Sequence, residues 1–308
     1  MTTASIPVDL FNPGQVFACL GFLELAEQFF GNAEGGFVWS EDSVSRFKLK
    51  ANYEGNPFEF LLDKLANATI REVEPMGWLG DHANGAVIGR CFPSQLADHF
   101  DKQNKKWTRT SLPISLTIPA EKCELSVTLS NWTDGSTRPL FKLYSGNRSA
   151  HSIASNMVRG KRTKPTKKDA EGKLEYKGLL QLWEENRTEL IESPFEVCCS
   201  MGGSFNFDPR GGWAPLDAGY SPDKQSHGVS ASPVVEILAV WGLEHARPDE
   251  FETRQVRYGV WQGLVPAILA RAAIAGAEII RPFRRFRFTL ALSGKNKVVT
   301  FATEDILP

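Results

Sequence analysis

At 308 residues, 42% hydrophobic and 23% charged, the chain can bury a large core as one big domain or two ordinary ones. No apolar run approaches the roughly 20 residues that cross a bilayer, and the run Val16 to Leu23 has no basic segment before it and leads into Glu24. No leader and no membrane partner are therefore expected, while a net charge of −1 conceals how unevenly the charges are spread.

In chain order, Asn12 and Pro13 are the cap and first position of a helix whose apolar residues Val16, Phe17, Leu20, Leu23 and Phe30 recur until Gly31. Val44 to Ala51 alternates as a strand, with Phe47 and Leu49 on one face and Arg46, Lys48 and Lys50 on the other. Asn56 and Pro57 begin a second helix with Phe58, Leu61, Leu62 and Leu65 on its apolar side. Leu112 to Ile118 and Cys123 to Ser130 read as two strands joined by a turn at Pro119 and Ala120. Helices are expected over Leu179 to Leu190, Val234 to Leu243 (after Ser232 and Pro233) and Val265 to Ala275, and strands over Phe195 to Cys199, Phe283 to Leu290 and Lys297 to Phe301. The order is that of an α+β chain, mixed helix and antiparallel sheet with long irregular loops, not a doubly wound fold. The divisions expected are an N-terminal α+β region (1–157), a basic flexible connector (158–177) and a C-terminal α+β region (178–308), with one continuous globular unit as the alternative.

The cysteines Cys19, Cys91, Cys123, Cys198 and Cys199 form no CxxC pair and no zinc spacing, so free thiols in a reducing cytoplasm are expected, without metal or cofactor. Cys198 and Cys199 are expected to alternate in and out of a strand.

From Gly135 to Lys168 there is no acidic residue, but Arg138, Lys142, Arg148, Arg159, Lys161, Arg162, Lys164, Lys167 and Lys168 are present. A second acid-free run, Ile279 to Thr303, holds Arg281, Arg284, Arg285, Arg287, Lys295 and Lys297. With those 15 basic residues set aside, the other 20 face all 36 acids and the rest of the chain sits near −16. Clustered cations displace counterions from phosphates, so one face for a polyanion is expected; a solvated lysine loop is the alternative for Lys161 to Lys173. In the C-terminal run, Arg285, Arg287 and Thr289 alternate with Phe286, Phe288 and Leu290, putting arginines and aromatics on opposite faces. A smaller basic group, Lys102, Lys105, Lys106, Trp107 and Arg109, and the rings Phe141 and Tyr144 beside Lys142 suit base stacking or a strand core.

Met201 to Asp223 is the densest irregular segment, with two glycine pairs, three prolines and four aromatics. It reads as an ordered loop packed on Phe205, Phe207, Trp213 and Tyr220 with Asp208 and Arg210 fixing turns, or as a ligand-contacting loop in which Arg210 suits a phosphate. No Lys-Ser/Thr pair follows the glycines, which excludes a nucleotide-hydrolase loop. For hydrolysis the candidates are His227 beside Asp217 and Asp223, His151 between Ser149 and Ser152, and, more weakly, Asp81 with His82; none sits in a nucleophile pattern. His151, inside the basic run, has the chemistry of a general acid/base for RNA cleavage.

Three strings, LFNPGQVFACLGFLE (Leu10 to Glu24), FNFDPRGGWAPLDAGYSPD (Phe205 to Asp223) and PVVEILAVWGLEHARP (Pro233 to Pro248), resemble the small effector-complex protein of type I-U (I-G) CRISPR interference systems, regarded as their large-subunit equivalent. The resemblance implies a non-catalytic subunit of a crRNA-guided surveillance complex. Its implied partners are crRNA, target DNA with its flanking motif, other effector subunits and a separate helicase-nuclease. In such recognition, base pairing reads the sequence and protein supplies a positive channel. The alternative is an endoribonuclease that processes the guide precursor.

Overall fold

The computed structural model describes residues 1–40, 43–75, 87–89, 100–101, 106–107, 112–120, 124–130, 149–164, 170, 172–212, 230–293 and 296–305. The first half carries β1 (Thr2–Pro7), α1 (Pro13–Phe30), β2 (Glu34–Ser40), β3 (Ser43–Ala51), α2 (Pro57–Ala66), β4 (Thr69–Pro75), β5 (Val87–Gly89), β6 (Phe100–Asp101), β7 (Lys106–Trp107), β8 (Ile114–Ile118), β9 (Leu125–Leu129) and α3 (Ala150–Arg159). Then come β10 (Lys161–Arg162), β11 (Leu174–Tyr176), α4 (Leu179–Glu185), α5 (Arg187–Glu192), β12 (Cys199–Ser200), β13 (Ser230–Ala231) and α6 (Pro233–His245). The chain closes with β14 (Asp249–Glu252), β15 (Gln255–Trp261), β16 (Val265–Pro266), α7 (Ala267–Ile274), β17 (Phe283–Ser293), β18 (Asn296–Val299) and β19 (Thr303–Glu304).

This is an α+β fold of helices and mainly antiparallel sheet. One sheet runs β1-β3-β2-β16, a second β14-β15-β17-β18 with β19 also on β17, and a third β5-β4-β8-β9, in which β4 and β5 are parallel. The pairs β6–β7, β10–β11 and β12–β13 are short antiparallel additions. In β3, Phe47 and Leu49 are buried while Arg46 and Lys48 face out, as the alternation requires.

At the centre α1 and α6 lie side by side with their N-termini together. Both are apolar on all sides, the signature of a helix with no solvent face, and both are buried over most of their length. Their backbones nearly touch: a Cβ on Gly21 would sit 2.1 Å from the Leu238 carbonyl oxygen, and one on Gly242 2.5 Å from that of Phe17. α1 also packs on the second sheet through Phe17, whose ring lies 5.6 Å from Tyr258 and 6.3 Å from Phe288. Two buried polar tips tie this layer to the N-terminal segment: Tyr258 Oη donates to the carbonyl of Leu10, between β1 and α1, at 2.7 Å and Trp261 Nε1 to that of Gly35 in β2 at 3.1 Å.

Several elements depart from the sequence expectation for local reasons. The helix expected over Leu179 to Leu190 breaks at Asn186, which ends α4 and starts α5. Val265 and Pro266 pair with Gly35 and Glu34 of β2, so the next helix starts only at Ala267. Phe195 to Cys199 is a turn followed by the two-residue β12, because side chains have taken the carbonyls a strand partner would use: Arg210 bonds that of Phe195 and Ser232 that of Pro194. Cys198 and Cys199 are accordingly both half-buried rather than alternating. In the expected connector, Val158 and Arg159 complete α3, Gly160 reverses the chain at φ 77°, and β10 pairs with β11. Buried residues before and after this segment belong to one hydrophobic cluster.

Candidate nucleic-acid interface

The described part of the first basic run converges on the end of α3 and the β10–β11 hairpin. A Thr163 amide bond to the Lys173 carbonyl, 2.8 Å, closes the hairpin beyond the strands. Arg159 donates to the Asn67 carbonyl at 3.0 Å and Arg162 to that of Gly172 at 3.1 Å, while Lys164 is exposed. Lys161 Nζ lies 2.6 Å from Glu175 and 5.2 Å from the centroid of the Tyr176 ring. Leu174 and Tyr176, 38% and 36% exposed, share one face of β11 beside these cations. The run without acids is thus partly neutralised by its own returning strand; Glu175 was visible in the sequence, but only the hairpin register brings it onto Lys161.

The C-terminal arginines are spoken for more completely. Arg284 makes two bonds to Glu304, 2.6 and 2.7 Å, which hold that carboxyl below its usual range, and it lies 5.7 Å from the Trp39 ring. Arg285 sits 3.4 Å from Glu278. Arg287 and Arg257 are direct cross-strand partners, and Asp305 lies between them at 4.0 and 2.5 Å. The alternation holds, since Phe286 and Phe288 are buried while Arg287 is 56% exposed on the other face. The arginine face of β17 is thus partly ion-paired, because β19 folds back and brings up Glu304 and Asp305, acids that lie just beyond the acid-free window.

Arg210 is not placed to meet a phosphate. Its Nε and Nη2 donate to the fully buried Asp208 at 3.0 and 2.8 Å, Nη2 also reaches the Phe195 carbonyl at 2.6 Å, and Nη1 lies 3.6 Å from Glu196. Asp208 in turn accepts from the Ser232 amide at 3.0 Å and from Asn12 Nδ2 at 3.3 Å, and Ser232 and Asn12 are the caps of α6 and α1. Glu236, also fully buried, accepts from the amides of Phe205, Phe207 and Asp208 at 2.8, 3.0 and 2.8 Å. Burial pushes the Glu236 carboxyl up to about 7, against the opposing pull of those amides. The described part of the glycine-aromatic loop, 201–212, is therefore a polar clasp at two convergent helix N-termini, whose partial positive charge suits buried carboxylates.

Glu236 was missed by sequence reasoning, although a lone acid inside the apolar run Val234 to Leu243 was the available signal. Glu24 is its counterpart in α1: it accepts from Arg271 at 2.6 and 2.7 Å and lies 3.5 Å from His245 Nδ1. Burial, chiefly, lowers the His245 ring below its usual range.

The remaining expectations divide between described and undescribed residues. Arg138, Lys142, Arg148, Lys167 and Lys168 lie outside the described residues, as do Asp81, His82, Lys102, Lys105, Arg109, Phe141, Tyr144, Trp213, Asp217, Tyr220, Asp223 and His227, together with the side chains of Lys106 and Trp107. His151, half-buried in the first turn of α3, lies 3.4 Å from the Ser155 hydroxyl on its own helix. Burial raises both Cys198 and Cys199, the latter to about 11, which keeps these thiols protonated and unreactive near neutrality. A cleft of about 370 Å³ is lined by the stretch 7–11, Val44, Ser45, Glu196 and Arg284, whose guanidinium is already engaged by Glu304. Among the described residues no group of three or more His, Cys, Asp and Glu is placed to hold a metal ion, and no helix is long and apolar enough to cross a membrane.

Comparison with models of known protein families finds no match, and none is found among curated proteins or solved structures.

Proposed function

We propose that this chain is a nucleic-acid-binding subunit of a crRNA-guided type I CRISPR surveillance complex. In this reading it contacts target DNA and its flanking motif, and leaves cleavage to a recruited helicase-nuclease. The observation that carries the binding role is the surface at the end of α3, where Arg159, Lys161, Arg162 and exposed Lys164 stand together beside the open ring of Tyr176. Lys161 is held by the surface carboxylate of Glu175, a contact that is cheap to exchange for phosphate because exposed ion pairs contribute little. The assignment to this class of complex rests on the three resembling strings, two of which form the helix pair at the core, while the described part of the third forms the clasp. Cytoplasmic location, the effector-subunit partners and the absence of an activity of its own belong to the same proposal.

The test changes Arg159, Lys161, Arg162, Lys164, Lys167 and Lys168 to alanine and measures DNA binding across salt concentration. Each phosphate contact removed should lower the slope of log affinity against log salt by roughly 0.7–0.9. An unchanged slope would assign the hairpin to a solvated loop. Incubating the purified chain with labelled repeat RNA, with magnesium or EDTA, tests the rest: cleavage that disappears in His151→Ala would replace the binding role by guide processing.

A further inference from the structure

We propose that the surface from Phe60 on α2 to Tyr176 on β11 is a track for an unpaired nucleic-acid strand, an inference that rests on the nucleic-acid reading above and narrows its substrate. At one end Phe60, Phe30 and Tyr53, all half-buried, pack with centroids 5.0–5.1 Å apart and leave part of their ring surface open. One helical turn on, Lys64 holds its ammonium 5.2 Å over the Phe60 ring. Three residues further, Asn67 ends α2, and its carbonyl receives the Arg159 guanidinium at 3.0 Å. Two residues beyond Arg159, Lys161 stands 5.2 Å from the Tyr176 ring.

The order along the surface is ring, cation, cation, cation, ring. Seven helical residues cover about 10 Å and two extended ones about 7 Å, so with the reach of Arg159 the track is on the order of 20 Å, room for a few nucleotides. Cations alone would serve a duplex or a single strand alike. Partly exposed rings gain nothing from a duplex, whose bases are stacked on one another, but each can stack an unpaired base, and a neighbouring cation reinforces the ring contact. In the free chain Glu175 occupies Lys161, and a phosphate would take its place.

The test measures fluorescence anisotropy of the full chain with a labelled 15-nucleotide oligo-dT and with a duplex of the same length, for wild type, Phe60→Leu and Tyr176→Leu. Leucine keeps apolar bulk and removes the flat face, so each variant should weaken oligo-dT binding by roughly 5- to 150-fold while duplex affinity and melting temperature hold. Unchanged oligo-dT affinity in Tyr176→Leu, whose ring is exposed and does not support the core, would overturn the track whatever Phe60→Leu does to folding. Equal losses on both ligands would overturn it as well, since the rings would then serve a duplex as much as an unpaired strand, with the nucleic-acid reading intact. Wild type that binds neither ligand in a salt-dependent way would sink both proposals together.

Discussion

Replacing Glu236 tests the clasp, because one carboxylate satisfies three buried amides. Glu236→Ala removes the carboxylate that the Phe205, Phe207 and Asp208 amides donate to. Each buried donor left unpaired costs about 1–3 kcal/mol, so the loss would take a large share of a typical total of about 5–15 kcal/mol. Glu236→Gln is the sharper variant. Its carbonyl oxygen can serve the Phe207 and Asp208 amides, as Oε1 does now, but its NH2 group would face the Phe205 amide, at a cost of about 1–3 kcal/mol.

The pH dependence gives a second signature of the same residue. Folded, Glu236 keeps its proton to about pH 7; unfolded, it releases it near 4.5. Between those values the folded state binds the extra proton, so this residue's contribution to stability falls as pH rises and levels off above 7. Over that interval the change amounts to about 3 kcal/mol. The Gln variant cannot follow it, so its deficit relative to wild type should be greatest near pH 5 and shrink towards pH 7.5. Urea unfolding followed by circular dichroism at several pH values reads the difference, in which His245 and other groups cancel. A deficit that stays constant across the window would show that Glu236 is ionised throughout, and one below about 0.5 kcal/mol would show that the amides have other partners.

Two further outcomes follow from the same core. Arg210→Ala should cost about 3–5 kcal/mol in denaturant unfolding, because it leaves the Asp208 charge buried without its cation; a variant of native stability would return Arg210 to the list of surface contacts. Gly242→Ala should destabilise by at least about 1–3 kcal/mol, since the added methyl meets the Phe17 carbonyl at 2.5 Å and α1 must shift away, and an unchanged melting temperature would mean the helices separate without cost.

What was legible in the sequence was local. Asn12 with Pro13, Asn56 with Pro57 and Ser232 with Pro233 all cap helices, because cap chemistry needs only neighbours three residues away. The β3 alternation and the β8–β9 pair were readable for the same reason. Charge segregation was legible along the chain but its pairing in space was not: Glu304, Asp305 and Glu278 reach the C-terminal arginines, and Glu175 reaches Lys161, only through the fold. Arg210 illustrates the limit most clearly. Its partner Asp208 was two positions away and was named as a turn-former, but the Phe195 carbonyl and the Ser232 amide that complete the site come from segments no local pattern connects.

The pairing of α1 with α6 has a consequence for how the protein is made. During synthesis α1 emerges about 220 residues before α6, since the helices begin at Pro13 and Pro233. At 5–20 residues per second the ribosome needs roughly 10–45 s to supply the missing partner. For that time a largely apolar helix has no Gly242 surface to lie against. A nascent chain ending before His245 should therefore be a strong client for holding chaperones and highly sensitive to protease, and both properties should vanish together once α6 clears the exit tunnel.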